Sequence, residues 1–335
     1  MAAAMVLTLG TGCVSTLVSV AYGIGMPFVY REAELPSEQI ELNLPYRGGV
    51  GAGDGDGHWD GDADGVTDKH RLDLFRPAGF TGSTGSTATA ETGWPILVFV
   101  HGGGWTSGDR ALTVGGRDVY GNIGRFFAAR GVGVAVISYR LQPEVSWREQ
   151  LDDVGAALRW VHAHAEGVGA DPNAIFLSGH SAGAHLATYV VLDEERLETL
   201  GVPPSSLCGL ILVSGAAYDL TDARTWELGA SRAYYEERFR GADTSDGWMR
   251  EASPIRFASP SSPPALILYA GGETKALQRQ SQVLHEALVA AGGSSQMQVV
   301  PGENHERIVL TLSRADKVAA RAMLDFIHTR ECGRR

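Results

Sequence analysis

The most constraining feature of this sequence is the regular alternation of short β-type runs with helical runs after Pro95. Apolar residues recur at strand spacing in the first kind of run and at every third or fourth position in the second. Consecutive parallel strands need crossover connections, which helices supply on the faces of the sheet. The pattern therefore predicts an α/β fold with a mostly parallel central sheet and helices on both faces. The β-type runs lie at about 96–100, 132–139, 174–178, 208–214, 264–270 and 296–300, and the helical runs at about 149–165, 182–192, 275–291 and 314–329.

Two further segments flank or interrupt this pattern. The run HRLDLFRP at residues 70–77 alternates as a strand does, and the Gly/Ser/Thr-rich stretch 81–93 separates it from the apolar run PILVFV. Residues 218–262 break the rhythm and carry several aromatic side chains. They are interpreted either as a lid near the carboxyl edge of the sheet or as helices that pack on the sheet edge, and the sequence leaves both open.

The first 30 residues contain no charged side chain and many apolar ones. A segment of that length is long enough to cross a bilayer. A secretory signal normally opens with Lys or Arg, which this segment lacks. We expect an export signal or membrane anchor in residues 1–30, with membrane association of the chain through it. The alternative is a helix packed on the domain, or a mis-chosen start.

The net charge of −11 argues against a nucleic-acid partner, because phosphate contacts require clustered Lys and Arg, which this sequence lacks. Six acidic residues lie between Asp54 and Asp68, in the Gly/Asp-rich stretch 49–68, whose composition is typical of a solvated loop. The stretch also contains the opening of a calcium loop, D-x-D-x-D-G from Asp60. Arg71 stands where that loop requires a bidentate Glu, so no metal site is assigned.

The overall composition, 44% hydrophobic and 20% charged residues, is that of a globular chain able to bury a large core. Its three cysteines, Cys13, Cys208 and Cys332, lie far apart and form neither a CxxC pair nor a metal-ligand spacing. We therefore expect no disulfide framework.

The β-type run AIFLS leads directly into GHSAG at residues 179–183 and then into the helical run AGAHLATYVV. In G-x-S-x-G enzymes the nucleophilic serine sits on such a tight strand-to-helix turn, because its small neighbours let the backbone turn sharply. The helix that follows also points its free N–H groups at the serine, where they favour negative charge. Ser181 is therefore the candidate nucleophile.

The apolar run PILVFV ends in HGGGW at residues 101–105, so a glycine run leaves a buried strand at its carboxyl end. Glycine lets backbone N–H groups approach a ligand closely, because no Cβ stands in the way. Acyl transfer needs such donors for the oxyanion of its tetrahedral intermediate. We predict an oxyanion hole formed by the N–H groups of Gly103, Gly104 and Ala182. His101 is interpreted as a residue that braces this loop.

Ten histidines are available as the catalytic base. In enzymes built on this elbow the base follows the nucleophile along the chain. His305 ends the short loop PGENH beyond the last β-type run, which brings it to the sheet edge where the elbow lies. His285 and His328 are interpreted as structural, and His180 and His185 as residues that pack or hydrogen-bond near the elbow.

The acid that orients the base is expected in the loop after the preceding strand. Glu273 is the only carboxylate between the β-type run at 264–270 and the next helical run. Asp219, which follows the earlier run GLILVS, is the alternative, although a helix cap or a brace for 218–262 explains that residue as well. The sequence favours Glu273 and leaves Asp219 open.

In combination, HGGGW, SYR at 138–140, ADPNAIFLSGHSAGAHLA at 170–187 and a late acid and histidine resemble α/β-hydrolases of the carboxylesterase, feruloyl-esterase-like and kynurenine-formamidase-like group. The glycine loop is also similar to that of hormone-sensitive-lipase-type esterases, and the core to that of the membrane-bound prenylcysteine methylesterases. The resemblance covers about residues 40–330. Two features depart from it: Glu273 stands where these relatives usually have Asp, and the Gly/Asp-rich stretch has no counterpart.

The resemblance implies an α/β-hydrolase catalytic domain at residues 31–335, with the loop at 49–68 and a possible lid at 218–262. It implies a two-step serine esterase that acts on a small-molecule ester and needs no metal or organic cofactor. If the aromatic residues of 218–262 roof an apolar pocket, we expect esters with short acyl chains or aryl alcohols. An amidase acting on an activated amide, such as an N-formyl aryl amine, would use identical residues. A non-catalytic binding protein on the same fold is the more remote alternative, and the oligomeric state is left open.

Overall fold

The computed structural model describes residues 30–47, 69–77, 93–242 and 244–332. The N-terminal segment predicted to target or anchor the chain lies outside these residues except for Tyr30, as do the calcium-like sequence and nearly all of the Gly/Ser/Thr-rich stretch. Within the described residues, no helix combines the length and the apolar character that a membrane crossing requires.

The strands and helices of the described residues alternate along the chain. The strands are β1 (Ile40–Pro45), β2 (Arg71–Phe75), β3 (Trp94–Val100), β4 (Thr113–Val114), β5 (Arg117–Asp118), β6 (Gly133–Ile137), β7 (Ala170–His180), β8 (Leu207–Val213), β9 (Ala265–Ala270) and β10 (Ser295–Val300). The α-helices are α1 (Tyr120–Ala128), α2 (Trp147–Val168), α3 (Ala182–Leu192), α4 (Glu194–Leu200), α5 (Ala223–Glu227), α6 (Arg232–Phe239), α7 (Gly247–Glu251), α8 (Lys275–Ala290), α9 (Arg307–Leu310) and α10 (Val318–His328). Single turns of 3₁₀ helix lie at Ser37–Gln39, Pro204–Ser206 and Pro254–Phe257.

The predicted fold class is confirmed: the described residues form an eight-stranded sheet in the order β1-β2-β6-β3-β7-β8-β9-β10. Strand pairing is antiparallel from β1 to β2 and from β2 to β6, and parallel across the rest of the sheet. All residues of β6 and β8 are buried, because helices cover the sheet on both faces. The carboxyl ends of β3, β7, β9 and β10 consequently meet at one edge, where the candidate site lies.

Local sequence explains how the long helix α2 is bounded. Ser146 accepts a hydrogen bond from the backbone N–H of Glu149, and the Glu149 side chain accepts from the N–H of Ser146, which forms a capping box. The helix stops at Gly169, whose φ of 93° lies in the left-handed region that favours glycine. The chain then enters β7, the strand that leads directly to the turn of Ser181.

Several predicted boundaries are shifted, and several elements were missed, among them the short strands β4 and β5 and the helices α4 and α9. Strand β7 begins four residues before the predicted run at 174–178, and helix α10 begins at Val318 instead of 314. Strand β1 and helix α1 were not predicted at all.

The expectation about cysteines is wrong in one respect, because Cys208 and Cys332 form a disulfide. It joins β8 to the segment that follows α10, across a sequence separation of 124 residues. A cross-link over such a span restricts the unfolded chain and typically stabilises a fold by about 2–4 kcal/mol. The pairing is not apparent from the cysteine spacing, because the two positions approach each other only when the sheet forms.

Candidate active site

Ser181 lies on a tight turn between β7 and α3. Its backbone has φ 53° and ψ −119°, a conformation that non-glycine residues rarely adopt. The turn closes only because its neighbours are small: a Cβ on Gly179 would lie 2.4 Å from the Gly183 carbonyl carbon, and one on Gly183 would lie 2.3 Å from the His101 oxygen. The GHSAG motif therefore builds the strained turn that exposes a serine at the sheet edge.

His305 joins Ser181 to Glu273. Its Nε2 lies 2.9 Å from Ser181 Oγ, and its Nδ1 lies 3.1 Å from Glu273 Oε2. Because a carboxylate only accepts, the ring proton is assigned to Nδ1, which leaves Nε2 free to accept the serine hydroxyl. The side chain of Glu273 is fully buried, and its other oxygen, Oε1, has no hydrogen-bond partner in the part of the chain that the structure describes. This carboxylate is therefore directed at the histidine alone.

The loops that carry the acid and the base are tied to each other. The N–H of Gly272 donates to the Glu303 carbonyl at 2.9 Å, and the N–H of Gly271 donates to the Val300 carbonyl at 2.9 Å. These contacts join the loop after β9 to the end of β10 and to the loop that follows it. They fix the position of Glu273 relative to His305.

Asp219, the alternative acid, lies in a different environment. Its Oδ1 accepts hydrogen bonds from the backbone N–H and the hydroxyl of Thr221, at 2.8 and 2.6 Å. Its own N–H donates to Gln280 Oε1 at 2.8 Å. Asp219 therefore braces a local turn, and the carboxylate that faces His305 is that of Glu273.

The glycine loop after β3 lies against the serine turn, since a Cβ on Gly102 would lie 3.4 Å from Ser181 Cβ. Gly103 and Gly104 both have positive φ, 126° and 61°. Two carbonyl groups of this loop are held by hydrogen bonds. His101 Nδ1 lies 2.7 Å from the Gly102 oxygen, and the Ser107 hydroxyl donates to the Gly103 oxygen at 2.8 Å.

These contacts also orient the N–H groups of the loop. Within a trans peptide the C=O and N–H point in opposite directions, so fixing the carbonyls turns the N–H groups of Gly103 and Gly104 the other way. In the described part of the chain neither N–H donates a hydrogen bond. Ala182 opens α3, and the first N–H groups of a helix have no partner within it. None of the three predicted donors is therefore engaged in a hydrogen bond with another described residue.

Three histidines around the site are held neutral by burial. Burial lowers the pKa of His101 and of His185 to about 4 each, and lowers that of His180 to about 3. His101 stacks on Tyr139 with ring centroids 4.3 Å apart. His185 accepts from Trp105 Nε1 at 3.3 Å and bonds through Nε2 to the Ala252 carbonyl at 2.8 Å. The supporting roles predicted for His101 and His185 agree with these contacts.

Part of the aromatic segment 218–262 packs on the glycine loop. Arg238 Nε donates to the Gly104 carbonyl at 3.0 Å, and the Arg238 guanidinium lies 3.5 Å from the centre of the Tyr234 ring. A Cβ on Gly104 would lie 2.5 Å from the Tyr234 hydroxyl. Trp105 packs edge-on against Phe239, with centroids 4.8 Å apart. Helix α6 therefore lies directly beside the loop that carries the candidate oxyanion donors.

Sequence reasoning missed several residues that support this loop. The N–H of Gly102 donates to the Tyr120 hydroxyl at 3.3 Å, and the Tyr139 hydroxyl donates to the His101 carbonyl at 3.1 Å. Tyr139 was within reach of prediction, since it ends a predicted strand that is parallel to the one before the glycine loop. Tyr120 was not, because it belongs to the unpredicted helix α1.

The family comparison agrees with this geometry. The model of the BD-FAE family, a family of α/β-hydrolase esterases, matches residues 86–288, which is more than half of the chain. The chain belongs to the BD-FAE family. The matched region contains the glycine loop, the serine turn and Glu273, whereas His305 lies beyond its end.

Curated relatives of this BD-FAE protein are named as esterases. It is 30% identical over 217 residues to Esterase LipC of Mycobacterium tuberculosis, covering 63% of this chain and 52% of that protein. It is 30% identical over 222 residues to Carboxylesterase NlhH of the same species, covering 63% and 66%. It is 26% identical over 253 residues to isoprenylcysteine alpha-carbonyl methylesterase ICME of Arabidopsis thaliana, covering 72% and 55%. The chain thus spans between about half and two thirds of the length of these relatives.

Solved structures share the α/β-hydrolase fold of this BD-FAE chain. Esterase B from Lactobacillus rhamnosis superposes with a TM-score of 0.68 at 22% identity, covering 94% of this chain and 92% of that one. The carboxylesterase EstE1, cloned from a metagenomic library, superposes with a TM-score of 0.61 at 20% identity, covering 93% of each. At these identities the likeness establishes the fold.

Proposed function

We propose that this BD-FAE protein is a serine hydrolase of carboxylic esters, with Ser181 as nucleophile, His305 as base and Glu273 as the acid that orients the base. One observation carries the proposal: a continuous series of contacts runs from Glu273 Oε2 through His305 to Ser181 Oγ, at 3.1 and 2.9 Å. The family match and the esterase names of the curated relatives support the ester-hydrolase class.

In the first half of the proposed reaction, His305 Nε2 takes the proton of Ser181 as Oγ attacks the ester carbonyl. The carbonyl oxygen becomes an oxyanion, which the N–H groups of Gly103, Gly104 and Ala182 stabilise. Loss of one such donor typically costs about 100- to 1000-fold in turnover. His305 then gives its proton to the departing alcohol, and an acyl group remains on Ser181.

Water completes the cycle by the same route. His305 takes a proton from water, the resulting hydroxide attacks the acyl-enzyme, and the carboxylic acid leaves as Ser181 regains its proton. The Glu273 carboxylate stabilises the positive imidazolium that forms in each half. Every step uses side chains and backbone groups of this chain, so the proposed route calls for no cofactor.

The proposed substrates are esters with short acyl chains or aryl alcohols. Two contacts of helix α6 support this size limit, because Tyr234 stands over Gly104 and Arg238 bonds to the Gly104 carbonyl. A bulky aromatic ring beside the oxyanion donors restricts the space next to the scissile carbonyl. Tyr234 is 37% exposed, so its ring borders the solvent side of the loop.

We expect aryl butyrates to be hydrolysed roughly tenfold or more faster than aryl palmitates, because each methylene that does not fit weakens transition-state binding. Tyr234→Ala is expected to raise the relative rate on longer chains by opening the space beside Gly104. Leu42→Ala, which removes another exposed apolar side chain, on strand β1, serves as the control. A wild-type preference for palmitate, above all at an oil–water interface, would contradict the size limit.

A methyl ester of a prenylated cysteine is a second candidate substrate, since one relative is named an isoprenylcysteine methylesterase. It belongs in the same assay series as short aryl esters, feruloyl esters and N-formylkynurenine. The last compound tests the amidase alternative, which identical residues would serve. If the chain hydrolyses only the amide, an amidase replaces the proposed esterase. The assignment of Ser181 as nucleophile then still stands.

We also propose that the chain is exported or anchored in a membrane. The uncharged segment 1–30 motivates this, and the Cys208–Cys332 disulfide supports it, because disulfides persist mainly in oxidising compartments. Fractionation of native cells, followed by thiol alkylation without reductant, tests it. The chain is expected outside the cytosol or in the membrane fraction with both cysteines protected. Recovery in the cytosol with both thiols free would contradict it.

A further inference from the structure

His180, the residue before the candidate nucleophile, lies buried between the two loops that flank Ser181. Its Nε2 lies 2.8 Å from the backbone carbonyl oxygen of His305, and the two imidazole rings have centroids 5.0 Å apart. On the other side, a Cβ on Gly102 would lie 2.8 Å from His180 Nδ1. One side chain therefore contacts both the loop of the base and the glycine loop.

The contact with His305 defines the state of His180. A carbonyl oxygen only accepts, so the ring proton is on Nε2 and donates to His305. Burial first, and the neighbouring His305 second, lower the pKa of His180 to about 3, although the hydrogen bond acts in the opposite sense. The ring is therefore neutral at working pH. A charged ring at this position would oppose the imidazolium that His305 becomes during the proposed reaction.

Other residues also contact the His305 loop. Glu303, whose side chain is 3% exposed, pairs with Lys317 at 2.9 Å and with Arg307 at 3.1 Å. Its carbonyl accepts from Gly272, in the loop that carries the acid. These contacts fix the loop relative to Glu273. The bond from His180 fixes the same loop relative to the serine turn, because His180 and Ser181 are adjacent in the chain.

We infer that His180 is a positioning residue of the proposed hydrolase: its Nε2–H holds the His305 backbone at the distance that lets the base reach Ser181. The inference rests on the proposed function. A displacement of about 1 Å at a catalytic group can cost on the order of 100-fold in rate. The loss falls on kcat, because the base acts in the transition state and not in substrate binding.

Two substitutions of His180 by amide side chains of different length test this inference. Gln places a terminal NH₂ near the position of the imidazole Nε2, whereas Asn reaches only as far as Nδ1. His180→Asn is expected to lower kcat on an aryl butyrate by roughly 10- to 100-fold with little change in KM, and to slow fluorophosphonate labelling of Ser181 similarly. His180→Gln is expected to recover most of that loss. Both variants keep a polar side chain, and circular dichroism and thermal melting verify that each is folded.

His285→Leu is the matched control, since His285 Nδ1 lies 2.9 Å from Ser295 Oγ, in a contact between α8 and β10 that does not reach the site. It removes a histidine hydrogen bond and is expected to leave kcat unchanged. The inference is overturned if H180N keeps kcat within about twofold of wild type, or if H180Q and H180N lose activity equally. If the wild-type chain neither hydrolyses any ester or amide of the series nor reacts with the probe, the proposed function itself fails.

Discussion

Ser181→Ala is expected to lower ester turnover on the order of 10⁴-fold or more, because alanine fits the turn but supplies no nucleophile. The covalent route is lost as a whole, and neither His305 nor the glycine loop can replace it. Residual activity would come from binding and from the oxyanion donors acting on attacking water. The measurement is kcat/KM on an aryl butyrate, with circular dichroism to verify the fold.

Ser178→Ala provides the matched control for this variant. Ser178 lies three residues earlier, on β7, and is fully buried, and its Oγ has no hydrogen-bond partner among the described residues. Its substitution removes the same hydroxyl oxygen three residues before the turn and breaks no hydrogen bond of the described residues, so activity is expected to persist. Near-normal turnover in a folded S181A variant, or equal losses in both, would show that another group is the nucleophile.

Glu273→Gln is expected to lower turnover by roughly 10²- to 10⁴-fold with little change in stability. The amide has nearly the shape of the carboxylate but carries no charge, so it no longer stabilises the imidazolium. It can also donate to His305 Nδ1, which favours the wrong tautomer of the base. The effect should be large here, because within the described residues the carboxylate makes one hydrogen bond, to the histidine, and its Oε1 makes none.

Asp219→Asn is the comparison for this prediction. The side chain of Asp219 accepts from Thr221 within a turn, and an asparagine oxygen can accept the same two bonds. Activity is therefore expected to fall far less than in E273Q. The reverse order of the two variants, measured as kcat/KM on one ester, would remove Glu273 from the assigned role.

The central part of the fold followed from the sequence because its strands are buried on both faces. Such strands are continuous apolar runs, and the helices between them keep a regular apolar spacing. Two of the missed elements, strand β1 and helix α1, are not of this kind. Strand β1 lies at the sheet edge, and its pairing with β2 is interrupted between Glu41 and Leu44, where Asn43 has a φ of 61°. The bulge interrupts the pairing but not the sequence pattern, since IELNLP alternates apolar and polar residues from 40 to 44. This strand was therefore within reach of prediction, although it lies outside the regular pattern that follows Pro95.

Helix α1 was missed for a different reason. It contains Gly121 and Gly124, which disfavour a helix when judged by propensity. Packing requires them, because a Cβ on Gly124 would lie 2.2 Å from the Phe75 ring and one on Gly121 would lie 2.1 Å from Asp118 Oδ2. Tertiary contact thus outweighs local preference at this helix.

The three triad residues could be predicted from the sequence, because their positions follow from the order of strands and loops along the chain. Parallel strands bring their carboxyl ends to one edge, so the loops of Ser181, Glu273 and His305 had to meet there. The supporting contacts depend on side chains that reach between loops, and sequence order does not encode them. The bond from Ser107 to the Gly103 carbonyl and the contact between His180 and the His305 carbonyl are of this kind.

Labelling with a fluorophosphonate, followed by peptide mass spectrometry, tests the central claim most directly. An activated serine attacks the phosphorus and expels fluoride, so the probe reports the nucleophile whatever the natural substrate. We predict one adduct per chain, on the peptide that contains Ser181, and none in S181A. Failure of the folded wild-type chain to react, or an adduct that persists on another residue in S181A, would contradict the account.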